Sequence, residues 1–133
     1  MKQWLAANLI IVRDWKILLA KRAKEEKDFS NCWSIPWWTI EFWETPQNAV
    51  EREIREELSV NIKNYTLFGI YSFLINPELC FYWVYFVWDI VWEPKLLEQE
   101  LSEYKWFDIW DGLLELDFAF NQKDIIRDYL IKN

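Results

Sequence analysis

The sequence contains no histidine, only two glycines and only two cysteines in 133 residues. Without histidine, the commonest general base and a common ligand of transition metals are both absent. Any chemistry must therefore rest on carboxylates, lysine, tyrosine or a metal ion that they hold. Cys32 and Cys80 form no zinc-binding pattern. We expect two reduced thiols in a cytoplasmic protein, with a disulfide as the alternative.

Long apolar runs are also missing, because no stretch of about 18 uninterrupted apolar residues occurs. The sequence therefore predicts no membrane span, and the N-terminus shows no signal-peptide pattern. The net charge of −7 argues against a nucleic acid polymer as partner. It does not argue against a small phosphorylated ligand, because bound divalent cations can reverse the local sign of charge. The length predicts a single domain over residues 1–133.

The pattern of apolar residues predicts a mixed α/β (α+β) fold. Branched and aromatic runs indicate strands at 5–12, 16–19, 33–40 (with a break at Pro36), 62–75, 79–91 and 104–109. A helical period indicates helices over 46–58 and 121–131 and a helical turn over 111–116. Residues 23–31 and 93–103 are predicted to be polar loops. Thr45 followed by Pro46 is a helix-start signal, and Ser59 stands where a glycine would often end a helix.

The sequence contains 11 tryptophans, an unusually large number, and only two glycines. Trp15, Trp37, Trp38, Trp43 and Trp92 occupy positions where turn chemistry favours glycine. A bulky residue at positive φ costs about 1–2 kcal/mol, so we expect strain wherever these turns keep a glycine-like backbone. The alternatives are that the turns have rearranged or that some positions never needed positive φ. The aromatic excess is also compatible with a homodimer.

The chemistry of the sequence is concentrated in the predicted helix 46–58. At 100° per residue, Glu53, Glu56 and Glu57 fall within an arc of about 100° beside the apolar stripe of Val50, Ile54 and Leu58. Arg52 and Arg55 are placed on the other side, where they compensate only partly for the repulsion. Carboxylates in this arrangement suit Mg²⁺ or Mn²⁺, which take oxygen ligands. An ordinary solvated acidic face is the competing interpretation.

The spacing of these residues resembles the Nudix box. That motif reads Gly, five residues, Glu, seven residues, Arg-Glu, an aliphatic residue, any residue, Glu-Glu, any residue, Gly and an aliphatic residue. From position 38 the chain has Trp38, Glu44, Arg52, Glu53, Ile54, Glu56, Glu57, Ser59 and Val60, which match at seven of nine positions. Both mismatches are glycine positions. The segments 33–36, 39–41 and 104–107 are also similar to the family.

The resemblance implies a mixed sheet between helices and a role for each matching residue. Glu56 and Glu57 match the principal Mg²⁺ ligands, and Glu53 matches a third carboxylate that binds metal or orients water. Arg52 matches the arginine that fixes the glutamates, and Glu44 matches the glutamate that holds the loop before the helix. A further ligand is expected from the loop before Trp106, with Glu100 as candidate and Glu98 and Glu103 as rivals.

The implied activity is the Mg²⁺- or Mn²⁺-dependent hydrolysis of a nucleoside diphosphate linked to another group, by water attack on phosphorus. Nothing in the sequence identifies that group. Asn121 resembles a position that touches a nucleobase in some members, although a helix cap is the more ordinary role. Trp37 and Trp38 replace the Gly-Gly pair that follows proline in the family, and their side chains could occlude the site. A substituted or engineered variant with little turnover, serving as a nucleotide-binding or scaffold module, is therefore the alternative hypothesis.

Overall fold

The structure is a computed structural model that describes residues 2–26, 28–89 and 104–132. The strands are β1 (Lys2–Arg13), β2 (Lys16–Lys21), β3 (Trp33–Ser34), β4 (Trp37–Thr39), β5 (Thr66–Asn76), β6 (Leu79–Asp89) and β7 (Tyr104–Asp108). The helices are α1 (Pro46–Leu58) and α2 (Gln122–Lys132), and a short 3-10 helix spans Leu113–Glu115. The predicted order of strands and helices is thus confirmed, with the region 33–40 divided into two short strands around Pro36.

Strand β1 lies at the centre of one mixed sheet. It pairs in parallel with β6 from Lys2↔Leu79 to Val12↔Asp89. The other edge of β1 pairs with two strands. Ala6–Asn8 pair with β4, and Val12–Arg13 pair with β2. Beyond these, β2 pairs with β3 and β7, and β6 pairs with β5. The alternation of side chains along β1 therefore determines which residues meet each of the two covering helices.

Each face of the sheet is covered by one helix. The stripe of α1, including Val50, Ile54 and Leu58, is fully buried in a cluster with Leu9 and Ile11 of β1. On the opposite face Ile125 and Ile126 of α2 pack with Ile10 and other residues that alternate with the first set. The predicted α+β arrangement, a mixed sheet between helices, is confirmed. Among the residues described, neither helix is long and apolar enough to span a membrane.

Helix α1 begins and ends as the sequence predicts. The Thr45 hydroxyl accepts a hydrogen bond from the backbone N–H of Asn48 at 3.1 Å, and Pro46 follows in the first turn. Ser59 caps the end in the left-handed region at φ 56°, with its N–H donating to the Arg55 carbonyl. A glycine there would adopt this backbone at no steric cost. The two caps therefore define the extent of the helix that carries the glutamates.

The tryptophans at glycine-like positions divide into two kinds. Trp15 has φ 63° and follows Asp14 at φ 48° in the β1–β2 turn, the backbone that a two-residue hairpin prefers and that Asp-Gly adopts without strain. Trp37 and Trp38 instead lie in β4, paired with Asn8 and Ala7, and neither has positive φ. A glycine-like backbone is confirmed at Trp15, whereas Trp37 and Trp38 follow the alternative that some of these positions do not need positive φ. Extended backbone accepts any side chain.

Trp43 also lacks positive φ, and Trp92 lies outside the described residues. The strand predicted from Ile62 begins only at Thr66. Asn64 has φ 61°, which interrupts an extended chain, while Ile62 is buried beneath α1. Residues 90–91 and the loop predicted over 93–103 lie outside the described part of the chain.

Candidate active site

The acidic face of α1 projects from the layer that covers one side of the sheet. Ile54 and Leu58 are fully buried and hold the helix against the sheet, whereas Glu56 and Glu57 are exposed and Glu53 is half-buried. Burial of the stripe removes the freedom of the helix to rotate, since any rotation would expose these apolar side chains. The three carboxylates are therefore carried on a rigid element at its solvent-facing edge.

Arg52 links the glutamates of this region into one network. Its Nε and Nη2 donate to the two carboxylate oxygens of Glu44 at 2.7 and 2.9 Å. Its Nη1 donates to Glu53 at 2.8 Å and to Glu56 at 3.3 Å. The expectation from helical spacing that Arg52 lies on the other side from the glutamates is wrong, because Glu56 follows it by four residues and so shares its side of the helix. These contacts agree instead with the role that the resemblance implies for Arg52. One guanidinium thus offsets the mutual repulsion of three carboxylates.

The Glu44–Arg52 pair joins the loop before α1 to the middle of the helix. The Glu44 side chain is 7% exposed and accepts both hydrogen bonds in a fork geometry, which is the strong form of an arginine–carboxylate pair. A third bond comes from the Glu41 N–H at 3.2 Å. The hydrogen bond from Arg52 lowers the pKa of Glu44 below its ordinary value. Glu44 therefore remains ionised and positions Arg52 for the two glutamates on the helix.

Glu57 has a partner from the far end of the sequence. The Tyr104 hydroxyl, at the start of β7, donates to a Glu57 carboxylate oxygen at 2.7 Å. Residues 104–107 resemble the family in sequence, but this resemblance implies no particular role for Tyr104. The contact arises because β7 pairs with β2 through Ala20↔Tyr104. Nothing in the local pattern around Tyr104 predicts it.

A second tyrosine, Tyr65, contacts Glu51 on the neighbouring side of α1. The Tyr65 hydroxyl donates to Glu51 at 2.7 Å, and burial together with this carboxylate raises the pKa of Tyr65. Glu51 is thereby occupied by a structural contact. It is separate from the Arg52 network, which gathers Glu53 and Glu56.

The donor chemistry of Glu53, Glu56 and Glu57 fits a hard divalent cation, because all three offer carboxylate oxygens from one edge of one helix. Their present contacts turn Glu53 and Glu56 towards Arg52 and Glu57 towards Tyr104. In the part of the chain that the structure describes, no group of three or more His, Cys, Asp or Glu side chains is arranged to hold a metal ion. Glu100 and its rivals Glu98 and Glu103 lie outside that part.

Asn121 lies on the other face of the sheet, immediately before α2. Its side-chain Nδ2 donates to the Ser72 carbonyl at 3.3 Å, and its Oδ1 has no hydrogen-bond partner among the described residues. The predicted side-chain cap is therefore not formed, because the amide is turned towards β5 instead of towards the first turn of α2. Its Oδ1 is buried, so it is not exposed to a ligand in this structure.

A cavity of about 290 Å³ lies at a different place, beside the β1–β2 turn. Its lining includes Trp15, Trp110 and Tyr129. None of the predicted site residues lines it. The residues predicted from the box therefore form an open acidic surface and not the walls of this cavity.

Comparison with known proteins agrees with this geometry. The model of the NUDIX domain matches residues 2–129. An ADP-ribose pyrophosphatase of Methanocaldococcus jannaschii is 33% identical over 126 residues, which cover 94% of this chain and 72% of the relative. The match extends well beyond the box, because it covers 94% of this chain.

Solved structures show the same fold. The NUDIX domain of Shewanella oneidensis NrtR complexed with ADP ribose superposes with a TM-score of 0.76 at 18% identity, covering 99% of this chain and 89% of that one. A MutT/nudix family protein from Listeria innocua gives a TM-score of 0.73 at 20% identity, covering 97% and 92%. The sequence match across nearly the whole chain, together with this fold, shows that the chain belongs to the NUDIX domain family of pyrophosphohydrolases.

Proposed function

We propose that this chain is a Mg²⁺- or Mn²⁺-dependent hydrolase that cleaves the pyrophosphate bond of a nucleoside diphosphate linked to another moiety. The observation that carries the proposal is the network in which Arg52 binds Glu44, Glu53 and Glu56 at the edge of α1. A merely solvated acidic face would not be organised around one arginine. Glu56 and Glu57 would hold the cation, with Glu53 as a third ligand or as the group that orients water.

The residues of this chain would contribute in distinct ways. Glu44 fixes Arg52 from the loop, and Arg52 fixes the orientation of Glu53. Tyr104 holds Glu57 from β7. Such outer contacts orient ligands and tune their basicity. A bound divalent cation would supply phosphoryl polarisation and activation of water. Glu53, if left free of the cation, would take the proton of the attacking water.

The substrate class that we propose is ADP-ribose or a similar nucleoside diphosphate derivative, with dNTPs as the next candidates. The support is that the relative from M. jannaschii is an ADP-ribose pyrophosphatase and that a structural neighbour holds ADP ribose. Asn121, immediately before α2, is our candidate for a contact to the nucleobase, because it matches a position that touches the base in some family members. Its Oδ1 is buried in this structure, so the side chain would have to turn outward to accept a hydrogen bond from an exocyclic amine.

The test is hydrolysis of ADP-ribose, dNTPs, dinucleoside polyphosphates and nucleotide sugars with Mg²⁺ or Mn²⁺. Glu57→Gln should lose at least about 100-fold in kcat/KM, because outer-shell partners alone are worth about 10–100-fold. Glu78→Gln is the matched control, since it makes the same charge change in the exposed turn between β5 and β6. Chelation by EDTA should abolish turnover. Equal rates for the wild type and Glu57→Gln would refute the proposal.

A nucleotide-binding module with little turnover is the second candidate. The feature that favours it is the replacement of the family's Gly-Gly pair after proline by Trp37 and Trp38. Binding of ADP-ribose without hydrolysis, measured by calorimetry with Mg²⁺ and Mn²⁺, would select this alternative.

We also propose a cytoplasmic location, supported by the two cysteines, which are both free thiols in the structure. The single domain over residues 1–133 and the homodimer remain predictions. Analytical ultracentrifugation at several protein concentrations tests the homodimer directly.

A further inference from the structure

The cavity beside the β1–β2 turn is formed by residues that take no part in the acidic edge of α1. Its volume is about 290 Å³. Its aromatic and charged lining residues are Arg13, Asp14, Trp15, Asp89, Trp110 and Tyr129. Pockets that bind small molecules begin at about 300 Å³ and combine an apolar wall with a few polar groups. This cavity has the size and composition to hold one small molecule.

The cavity lies apart from the acidic edge of α1 and from the start of α2. Tyr104 contacts Glu57 at one end of β7, whereas Ile109, just beyond the other end, lines the cavity. The extended chain between Tyr104 and Ile109 spans about 16 Å. Along α2, the rise from Asn121 to Tyr129 is about 12 Å. The cavity is therefore neither the proposed metal site nor the proposed contact to the nucleobase.

Two exposed tryptophans form the aromatic part of the lining. The ring centroids of Trp15 and Trp110 are 6.0 Å apart and their planes are tilted by 45°, while the side chains are 69% and 65% exposed. Trp15 at φ 63° follows Asp14 at φ 48°. This backbone costs a bulky residue about 1–2 kcal/mol, and strain of this kind concentrates at ligand sites. Packing in the core does not explain an exposed indole held at this cost, whereas contact with a ligand does.

The charged groups of the lining favour a cation. Nη2 of Arg13 lies 3.6 Å from Oδ2 of Asp14, so these two charges largely offset each other. Asp89 is the register partner of Val12, which belongs to the cluster packed beneath α2, and it forms no hydrogen bond or ion pair with the residues described. Burial raises the pKa of Tyr129, and the nearby charge of Asp89 adds to this rise. Asp89 is therefore the carboxylate that a positively charged ligand would meet.

We propose that this cavity binds the guanidinium group of a small molecule. Among aromatic rings, indole attracts cations most strongly, and a planar guanidinium also stacks on such a ring. The same group matches the Asp89 carboxylate with two parallel N–H···O bonds. A quaternary ammonium ion would contact the rings but offer this carboxylate no donor, and an anion would be repelled by it. The guanidinium group is thus the cation that uses both parts of the lining.

The test is a titration of the full chain with N-acetylarginine amide, followed through the indole N–H signals in heteronuclear NMR spectra without divalent cations. N-acetylcitrulline amide is the matched control ligand, because it has nearly the same shape without the charge. The arginine compound should shift the signals of Trp15 and Trp110 saturably. It should bind at least about tenfold more tightly than the citrulline compound, because hydrogen bonds to charged groups are the stronger ones.

Asp89→Asn should weaken binding by at least about tenfold, because the charge of the acceptor is lost, whereas Asp117→Asn at another exposed position should not. Trp15→Gly should weaken it by about 3–10-fold through loss of one ring. Trp43→Gly is the control, since it removes an indole of similar exposure, 70%, from the loop before α1. Thermal unfolding followed by circular dichroism shows whether each variant is folded, and Trp110→Ala replaces Trp15→Gly if that variant is not.

The proposal is overturned if N-acetylarginine amide gives no saturable shift at Trp15 and Trp110 or if the citrulline compound binds equally well. It is also overturned if folded Asp89→Asn binds as the wild type does. Equally tight binding of tetramethylammonium would show that the rings alone select the ligand, which contradicts the assignment of a guanidinium group. Because these titrations contain neither metal ion nor phosphate, their result is independent of whether hydrolysis is observed.

Discussion

Replacing Trp15 and Trp38 separately should change stability by very different amounts, although both tryptophans stand at glycine-like positions of the sequence. Trp38 is 9% exposed and packs within the cluster beneath α1. Truncation of a buried aromatic residue to alanine costs about 3–5 kcal/mol in transfer and cavity terms. Trp38→Ala should therefore lower the free energy of unfolding by about that amount.

Trp15 is 69% exposed and has φ 63°. Trp15→Gly should relieve about 1–2 kcal/mol of backbone strain. It should lose about 0.5–1.5 kcal/mol from the contact with Trp110, whose ring centroid is 6.0 Å away. Greater freedom of glycine in the unfolded chain costs about 0.5–1 kcal/mol. These terms nearly cancel, so the net change should lie within about 1 kcal/mol of zero.

Urea unfolding followed by circular dichroism measures both changes, with the m-value checked for constancy. The difference between the two variants should be at least about 2 kcal/mol. If Trp38→Ala were as mild as Trp15→Gly, Trp38 would not be packed beneath α1 as described. If Trp15→Gly were strongly destabilising, the hairpin turn would not carry strain at this residue.

Three further predictions concern the contacts that hold the glutamates of this region. Because the folded pKa of Glu44 is lowered from 4.5, its contribution to stability is present above about pH 4.5 and is lost as pH falls through the lowered pKa. Urea midpoints between pH 7 and pH 3 should therefore fall less for Glu44→Gln than for the wild type, and parallel curves would contradict this. Arg52→Lys, which loses the fork geometry, should lower kcat/KM by about 10–100-fold, whereas the same change at the exposed Arg127 should not. Tyr104→Phe should raise the Kd for Mn²⁺, measured by electron paramagnetic resonance, by about 10-fold, and an unchanged Kd would show that the hydroxyl does not orient Glu57.

Much of the fold follows from local sequence signals. The Asp14–Trp15 hairpin, the Thr45 cap and the apolar stripe of α1 depend on residues a few positions apart, so their physics can be evaluated without knowledge of the rest of the chain. The box spacing likewise identified the family and the acidic edge of α1. The apolar pattern predicts a strand from Ile62, whereas the strand begins at Thr66, because Asn64 adopts a left-handed backbone that its residue type alone does not specify.

What the sequence by itself determined is thus the set of secondary-structure elements, the family and the helix face that carries the glutamates, since these depend on spacing. Only the tertiary structure decided the partners of those elements. It placed Tyr104 on Glu57 through the β2–β7 pairing and directed Trp37 and Trp38 to opposite faces through the pairing of β4 with β1. Side chains in a strand alternate between two faces, and which layer each face meets depends on distant segments.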